Sequence, residues 1–204
     1  MAEIVDTHCH LDLRHFDEDR EQVLERAAAA GVRALVNPAI DLDSCRRVLA
    51  LAGRYGQVYA AVGVHPNDCA GFGPETVAEL RDLAHHPKVV AIGEIGLDYY
   101  WERVDHEQQQ AALQAQLALA LELGLPVILH TRNARSGDPA CIEDLLCAIE
   151  QWVPEIRMKR GAHAILGVWH AFSGTLEQSI RACELGLVMG IGGPVTFQNA
   201  RRLH

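Results

Sequence analysis

The chain has 204 residues, 49% of them hydrophobic, which is enough to bury the core of one α/β domain. Its formal net charge of −9 argues against a generic, charge-driven coating of DNA, although a local basic rim could still contact a phosphate chain. Six cysteines without a C-x-x-C pair indicate neither a disulfide framework nor a zinc finger. No signal-like N-terminal segment is present, and no apolar run reaches the roughly 20 residues that cross a bilayer. We therefore expect a cytoplasmic protein with one domain over residues 1–204 and no contact with a membrane.

Short apolar runs alternate with longer amphipathic stretches along the chain. The predicted strands are, in order, EIVDTH, RALVNPAI, VYAAVGVH, KVVAIGEIG, LPVILHTR, AILGVWHAF and LVMGIGG. The predicted helices span 17–30, 42–55, 74–86, 105–123, 139–152 and 175–185. Residues 154–162 are predicted to form an inserted loop whose basic residues Arg157, Lys159 and Arg160 need no role beyond solvation. Near-continuously apolar strands separated by helices predict a parallel sheet that is buried on both faces.

The positions of the polar residues distinguish a barrel from an open sheet. Those at or just beyond the predicted strand ends are Asp6, His8, His10, His65, Glu94, His130, Arg132 and His170. The carboxyl ends of the strands form the catalytic face of a barrel. An open dinucleotide-binding sheet would instead carry G-x-G-x-x-G after the first strand, and that motif is not there. The sequence therefore predicts an α/β protein with a TIM-type (β/α)8 barrel.

The segment DTHCH ends the first predicted strand. Because side chains alternate across a strand, Asp6, His8 and His10 point one way, while Thr7 and Cys9 point the other. Two histidines at this spacing can chelate one divalent ion, and Cys9 is expected to pack between sheet and helices. Alone the pattern is weak, because a chain with eleven histidines produces such pairs by chance.

Glu94 follows the apolar run VVAIG, where an unpaired charge would cost several kcal/mol to bury, roughly. His130 and His170 end two further strands, and each alone could be a hydrogen-bonded core or rim histidine. Taken with His8 and His10, they favour a metal site. A carboxylate placed like Glu94 can bridge two ions, one per oxygen, at the separation of about 3.5–4 Å found in two-metal hydrolases.

Several segments resemble, in chain order, the motifs of the TatD family of metal-dependent hydrolases. They are DTHCHLD, GVHPND, GEIGLDYYW, LPVILHTRNA and HAFSGT, and GIGGPVTFQNA is similar to the seventh strand and following turn of that family. The resemblance runs from Ile4 to about Ala200. It implies an amidohydrolase-like (β/α)8 barrel that binds two divalent metal ions, for which Zn, Mn, Ni and Mg are all candidates. Many members of the family are nucleases.

The resemblance also implies roles for individual residues. With Glu94 as the bridge, one ion would be held by His8 and His10 and the other by His130 and His170. His65 and Arg132 would line the phosphate side of the pocket, so that Glu94, His65 and Arg132 are the candidate catalytic residues. From the residues alone, a capping role for His65 and a solvent-facing position for Arg132 stay open.

One departure from the family pattern concerns the C-terminus. Chains of the family are usually longer and carry a further aspartate at the end of an eighth strand, which would be a metal ligand and proton acceptor. This chain has no Asp or Glu after Glu184. We therefore expect a C-terminally incomplete domain that lacks the last β/α unit of the barrel.

The predicted function is that of a divalent-metal-dependent hydrolase, a deoxyribonuclease or exonuclease that cleaves phosphodiester bonds with a metal-activated water. The expected partner is DNA or another phosphodiester substrate, with no obligate protein partner. Asp98, Tyr99, Tyr100 and Trp101 could stack on or hydrogen-bond a nucleobase, or simply pack. Two alternatives are an amide or ester hydrolase using the same site, and a truncated metal-binding protein without activity.

Overall fold

The computed structural model describes residues 3–198, which form one seven-stranded parallel sheet with helices between the strands. The strands are β1 (Ile4–Asp6), β2 (Val32–Pro38), β3 (Val58–Val62), β4 (Val89–Asp98), β5 (Val127–Arg132), β6 (Gly167–Trp169) and β7 (Leu187–Met189). The helices are α1 (Arg20–Ala29), α2 (Leu42–Arg54), α3 (Pro74–Ala84), α4 (His106–Leu123), α5 (Ala140–Arg160) and α6 (Leu176–Glu184). Each strand pairs with the next one in the chain, which is the order of a TIM barrel. The predicted barrel-type α/β fold is confirmed, with seven of its strands in the described residues.

The sheet curls strongly from its first strand to its last. The rings of His8, just after β1, and His170, just after β6, stack with centroids 3.4 Å apart. Within residues 3–198, β1 pairs only with β2 and β7 only with β6, so these two strands are the edges of the sheet. The carboxyl ends of the strands therefore converge on one enclosed region. Within the same residues, no helix combines the length and apolar composition that crossing a bilayer requires.

Two separate apolar clusters lie on the two sides of the sheet. The larger one joins strand residues such as Ile92 and Trp169 to helix residues such as Leu117, and it fills the space between sheet and helices. The smaller one contains strand residues only, namely Val36, Ala61, Ala91 and Ile128. It fills the inner side of the curled sheet, so that close-packed apolar side chains lie beneath the polar residues of the site.

The prediction of an inserted loop at residues 154–162 is wrong, because α5 continues through Pro154 to Arg160. A proline inside a helix removes one N–H donor. Here Trp152, Val153 and Ile156 are buried on both sides of Pro154, and the Trp152 Nε1–H donates to the Leu117 carbonyl at 2.8 Å. Burial of these apolar side chains therefore stabilises the helix on both sides of Pro154.

The three basic residues of that segment are not merely solvated. Arg157 donates to the Glu184 carbonyl at the end of α6, and Arg160 donates to the Gly124 carbonyl just after α4. Lys159 donates to the carbonyl of Glu122 in the last turn of α4. Carbonyls at helix C-termini lack partners within their own helix, so these cations satisfy them and complement the helix dipoles.

Candidate metal centre

Strand β4 is longer than the sequence predicts, and Glu94 lies inside it rather than at its end. The β3 strand ends level with Ile92 of β4, and the Glu94 N–H donates to the carbonyl of Ala39, just after β2. Strand β4 continues beyond this point only alongside β5, as far as the pair Asp98 and Arg132. Glu94 is therefore level with the ends of β2 and β3, and its predicted place on the catalytic face holds.

Two glycines allow β4 to approach β5 closely on either side of Glu94. A Cβ atom on Gly93 would come within 2.7 Å of the Ile128 Cβ. A Cβ atom on Gly96 would lie 2.0 Å from the His130 carbonyl oxygen, and Gly96 has a φ of +148°, which side chains disfavour. The register between β4 and β5 shifts between Ile92 and Ile95. The sequence GEIG therefore builds a local irregularity that presents one carboxylate to the centre of the site.

The two carboxylate oxygens of Glu94 face different histidines. Oε2 lies 3.3 Å from His8 Nε2 and 3.5 Å from His10 Nε2, whereas Oε1 lies 3.0 Å from His130 Nδ1. The side chain is buried, with 3% of the residue exposed. Burial opposes the charged form, but hydrogen bonds from His10, His130 and His8 hold the pKa of Glu94 well below its usual range.

Glu94 separates the remaining site residues into two groups. We call His8, His10 and His170 the edge side, because they follow β1 and β6, next to or at the edges of the sheet. We call His65, Asp98 and His130 the central side, because they belong to or follow the middle strands β3, β4 and β5.

The edge side has few hydrogen bonds to hold it. The Nε2 atoms of His8 and His10 lie 3.0 Å apart, and the buried Nδ1 of His8 has no partner among the described residues. His170 contacts the edge side through its ring, which stacks on His8 at an interplanar angle of 12°. Burial, together with the neighbouring His8, lowers the pKa of His170 to about 4. Burial also opposes the charged form of His10, but the hydrogen bond to Glu94 raises its pKa above the ordinary value.

On the central side, Asp98 accepts as many hydrogen bonds as its carboxylate can easily take. Oδ1 accepts from the backbone N–H groups of Tyr100 at 2.9 Å and Trp101 at 3.2 Å. Oδ2 accepts from Asn67 Nδ2 at 2.8 Å and lies 3.3 Å from His130 Nε2. Although burial opposes its ionisation, the hydrogen bonds from His130 and Asn67 lower the pKa of Asp98 to about 2. Asp98 is therefore an ionised group whose lone pairs are already used by the protein.

The two central histidines differ in their protonation. Burial opposes the charge on His130, but Asp98 and Glu94 on either side of the ring raise its pKa to about 9. For His65, burial and the adjacent His130 lower the pKa to about 4. His65 Nδ1 accepts from the backbone N–H of Asn67 at 3.1 Å, so the proton of the neutral ring lies on Nε2. His65 thus caps a short turn, which is one of the two roles considered from its sequence, and its Nε2 is a donor; the contact with a phosphate stays a prediction.

Two buried glutamines of α4, which the sequence reasoning missed, hold the backbone of the central side. Gln116 accepts from the Val64 N–H at 2.7 Å and donates to the Val64 carbonyl at 3.1 Å, directly before His65. Gln109 does the same for Asp98, at 2.8 and 3.0 Å. The spacing of seven residues places both on one helix face. Glutamines on the otherwise apolar face of a predicted helix were the available signal.

The remaining sequence candidates lie around this centre. Arg132 ends β5 at the rim, with its guanidinium carbon 3.8 Å from the centre of the Tyr100 ring. Asp6 does not face the histidines as a ligand does, because its Oδ1 accepts from the backbone N–H of His8 at 3.0 Å. Cys9 packs against the larger core, and its Sγ lies 3.6 Å from the Val36 carbonyl.

The donor set suits a divalent ion. Two groups of side chains have ligand atoms within 4.8 Å of one another, namely His8 with His10 and Glu94, and His65 with Asp98 and His130. Imidazole nitrogens and carboxylate oxygens are ligands of Zn and of other divalent transition metals. The Nε2 atoms of His8 and His10, which lie 3.0 Å apart and converge on one carboxylate oxygen of Glu94, form an arrangement that a cation would complete.

Comparison with known proteins agrees with this geometry. The family model described as TatD related DNase matches residues 5–204. The chain is 36% identical over 199 residues to the uncharacterized metal-dependent hydrolase YabD of Bacillus subtilis (strain 168), covering 98% of this chain and 72% of YabD. It is 38% identical over 179 residues to the 3'-5' ssDNA/RNA exonuclease TatD of Cronobacter turicensis, covering 87% of this chain and 62% of that protein.

A solved structure extends the likeness to the fold. The crystal structure of YjjV, a TatD homologue from Escherichia coli K12, matches with a TM-score of 0.81 at 38% identity, over 95% of this chain and 70% of YjjV. The chain therefore belongs to the TatD-related DNase family of metal-dependent hydrolases.

Proposed function

We propose that this chain is a two-ion phosphodiesterase that removes nucleotides from the end of a nucleic acid strand, with DNA as a substrate. The observation that carries the proposal is the division of Glu94, whose Oε2 faces His8 and His10 and whose Oε1 faces His130. A carboxylate shared in this way is what a pair of ions requires. The exonuclease names among the relatives support a nucleic acid as the substrate.

The contacts of Glu94 with His8, His10 and His130 support these three histidines as ligands, and His170 is added from the resemblance to the family. His8, His10 and Glu94 would hold one ion, and Glu94, His130 and His170 would hold the other. Asp98 is not proposed as a ligand, because four donors already occupy it. Instead, a carboxylate against His130 Nε2 fixes the ring so that Nδ1 faces Glu94, as carboxylates commonly do behind metal-bound histidines.

When bound, divalent ions would supply a water of lowered pKa and an electrophile for the phosphoryl oxygen. The residues around them bind and orient the substrate. His65, with its proton on Nε2, donates to a non-bridging phosphate oxygen, and Arg132 at the rim attracts the same phosphate group. Glu94 and Asp98 stay ionised and compensate for the positive charge of the site.

The test is hydrolysis by the manganese- or zinc-loaded protein of three substrates: a 5'-labelled single-stranded oligonucleotide, bis(p-nitrophenyl) phosphate, and p-nitrophenyl acetate. We expect stepwise shortening of the strand from its 3' end, turnover of the phosphodiester, and none of the acetate. Turnover of acyl substrates alone would replace the proposal with an amide or ester hydrolase. Metal uptake without turnover of any substrate would indicate a metal-binding protein that is not an enzyme.

A further inference from the structure

The turn after β4 presents two aromatic rings beside the candidate centre. Asp98 links the two rings to the centre. Its Oδ2 faces His130, and its Oδ1 accepts hydrogen bonds from the backbone N–H groups of Tyr100 and Trp101. The two rings meet edge to face with centroids 4.9 Å apart. Trp101 is 37% exposed, so part of its ring is open to solvent beside the buried site. The rings are thus held at a set position relative to the residues proposed to bind the ions.

Three arginines surround these rings. The guanidinium carbon of Arg132 lies 3.8 Å from the Tyr100 centroid, and that of Arg135 lies 4.8 Å from it. The Trp101 centroid has the guanidinium carbons of Arg135, Arg132 and Arg103 at 5.4, 5.5 and 5.6 Å. We call Tyr100, Trp101, Arg103, Arg132 and Arg135 the arginine–aromatic platform.

The platform is an anion-attracting surface on a chain of net charge −9. Most arginines of the described residues lie within 4 Å of a carboxylate or donate to a backbone carbonyl, whereas the three of the platform do neither. Asp68 interacts electrostatically with Arg103, but neither Asp68 nor Glu102 in the same turn lies within ion-pair distance of the three arginines in residues 3–198. Guanidinium groups without carboxylate partners, placed next to an exposed indole, offer phosphate binding and base stacking together.

We propose that the platform binds the nucleotide adjacent to the scissile phosphate of a single-stranded nucleic acid, with its base on Trp101 and its phosphate between Arg103 and Arg135. The inference rests on the proposed function and adds a second subsite to it. Arg132 lies 3.8 Å from the Tyr100 centroid, whereas the nearest of the three guanidinium groups at Trp101 lies 5.4 Å away, so we assign the base to Trp101 and the support of Arg132 to Tyr100. A base can stack on Trp101 only when it is not stacked between its neighbours in a duplex, so the platform favours single strands over duplexes.

The experiment compares three substrates for the manganese-loaded protein: oligo(dT), oligo(U) and bis(p-nitrophenyl) phosphate, which has no nucleotide to occupy the platform. The factor by which Trp101→Ala raises the KM should be about ten times larger for oligo(dT) than for the small diester, because the loss of one base–aromatic stack has an effect of that size. Trp101→Phe should restore most of the loss. Stacking and phosphate contacts do not involve the 2'-hydroxyl, so Trp101→Ala should raise the KM for oligo(U) by the same factor as the KM for oligo(dT).

A second pair of variants tests the phosphate part without touching the aromatic rings. Arg135→Ala should weaken binding of fluorescein-labelled oligo(dT) to the metal-free protein, and it should lower the salt dependence of that binding by about one phosphate contact. Arg33→Ala is the matched control, because Arg33 lies near the amino end of β2, at the end of the sheet opposite the candidate centre, and pairs with Glu3. It removes the same charge and should leave the binding and its salt dependence unchanged.

The outcomes separate the platform from the proposed function. Cleavage of oligo(dT) with the same KM in wild type, Trp101→Ala and Arg135→Ala would overturn the platform and leave the nuclease standing. Turnover of the small diester without binding or cleavage of any strand by the wild type would overturn both. If Trp101→Ala does not fold, as judged by circular dichroism, the Arg135→Ala and Trp101→Phe results decide.

Discussion

The two sides of the candidate metal centre are built differently, although one carboxylate serves both. On the central side, Asp98 accepts four hydrogen bonds, and Gln109 and Gln116 clamp the backbone beside Asp98 and His65. On the edge side, β1 has only three residues and one neighbouring strand, and a buried nitrogen of His8 has no partner among the described residues.

This difference indicates which half of the site exists before an ion binds. The central side is positioned by the protein's own hydrogen bonds, so His130 needs little further ordering when an ion binds between it and Glu94. The edge side brings two imidazole nitrogens within 3.0 Å of each other and holds them through Glu94 and, for His10, the Pro38 backbone, without the carboxylate and glutamines that support the central side. We therefore expect the edge side to depend on its ion for order, and the central side to support its ion.

The sharpest test removes what the two sides share. Glu94→Gln should eliminate binding of the second equivalent of metal and lower phosphodiesterase kcat/KM by about a thousandfold or more, beyond the 10–100-fold typical of an outer-shell residue. The reason is that an amide keeps one oxygen but loses the charge that both ions need. Metal content by elemental analysis and steady-state kinetics are the readouts. Glu122→Gln, at an exposed residue paired with Arg81, is the matched control, and equal losses in the two variants would contradict the bridge.

The next test asks which residues complete the ion proposed between Glu94 and His130, to which His170 would contribute from the edge side. His170→Ala removes a proposed ligand, whereas Asp98→Asn keeps the shape of a proposed positioning residue but loses its charge. We expect His170→Ala to weaken binding of the second zinc equivalent more than Asp98→Asn, whose effect should be 10–100-fold, as measured by competition with a chelator. If Asp98→Asn abolished that equivalent while His170→Ala kept it, Asp98 would be the ligand and His170 only a stacking partner of His8.

A third test removes the support of the central side without touching a proposed ligand. Gln116→Leu leaves the N–H and carbonyl of Val64 buried without partners, which should lower the free energy of unfolding by about 2–3 kcal/mol. Gln114→Leu, at an exposed residue of α4, should change it by less than about 0.5 kcal/mol. Urea denaturation of the metal-free protein measures both. Identical stabilities would mean that the clamp contributes nothing, and the contrast between the two sides would lose one of its supports.

The smallest effect concerns protons. In the metal-free protein the pKa of His130 is about 9, so this ring is protonated at pH 7.5 and must lose its proton to bind an ion. Metal affinity should therefore rise by roughly tenfold per pH unit for each proton released, and level off above about pH 9. Calorimetry in two buffers of different ionisation enthalpy counts the protons. Asp98→Asn, which removes a cause of the raised pKa, should release fewer protons at pH 7.5, and zinc binding without proton release in the wild type would refute the pairing.

Much of the site was predictable because the carboxyl ends of all the strands in a barrel lie on one face, so residues that follow those strands lie close together. The positions of His8, His10, Glu94 and His130 after or within apolar runs were sufficient to predict that these four side chains meet. The extent of β4 was not predictable in the same way, because its last residues are stabilised by pairing with β5, a partner about 35 residues away. The continuation of α5 through Pro154 has a similar cause, namely burial of Ile156 that overrides the local preference of proline.

The amino-acid sequence by itself determined the order of strands and helices and the placement of imidazoles and one carboxylate at a common end of the sheet. The periodicity of the apolar residues and the spacing of the polar residues after them are local properties of the chain, so the sequence alone is sufficient to predict this order and placement. Only the tertiary structure decided how these groups divide. Asp98 is saturated by Asn67, His130 and two backbone N–H groups, whereas the Glu94 side chain accepts, among residues 3–198, only from histidines. The number of hydrogen bonds that a buried carboxylate already receives depends on residues from several strands at once, and that number distinguishes a group that orients a ligand from one that is free to bind an ion.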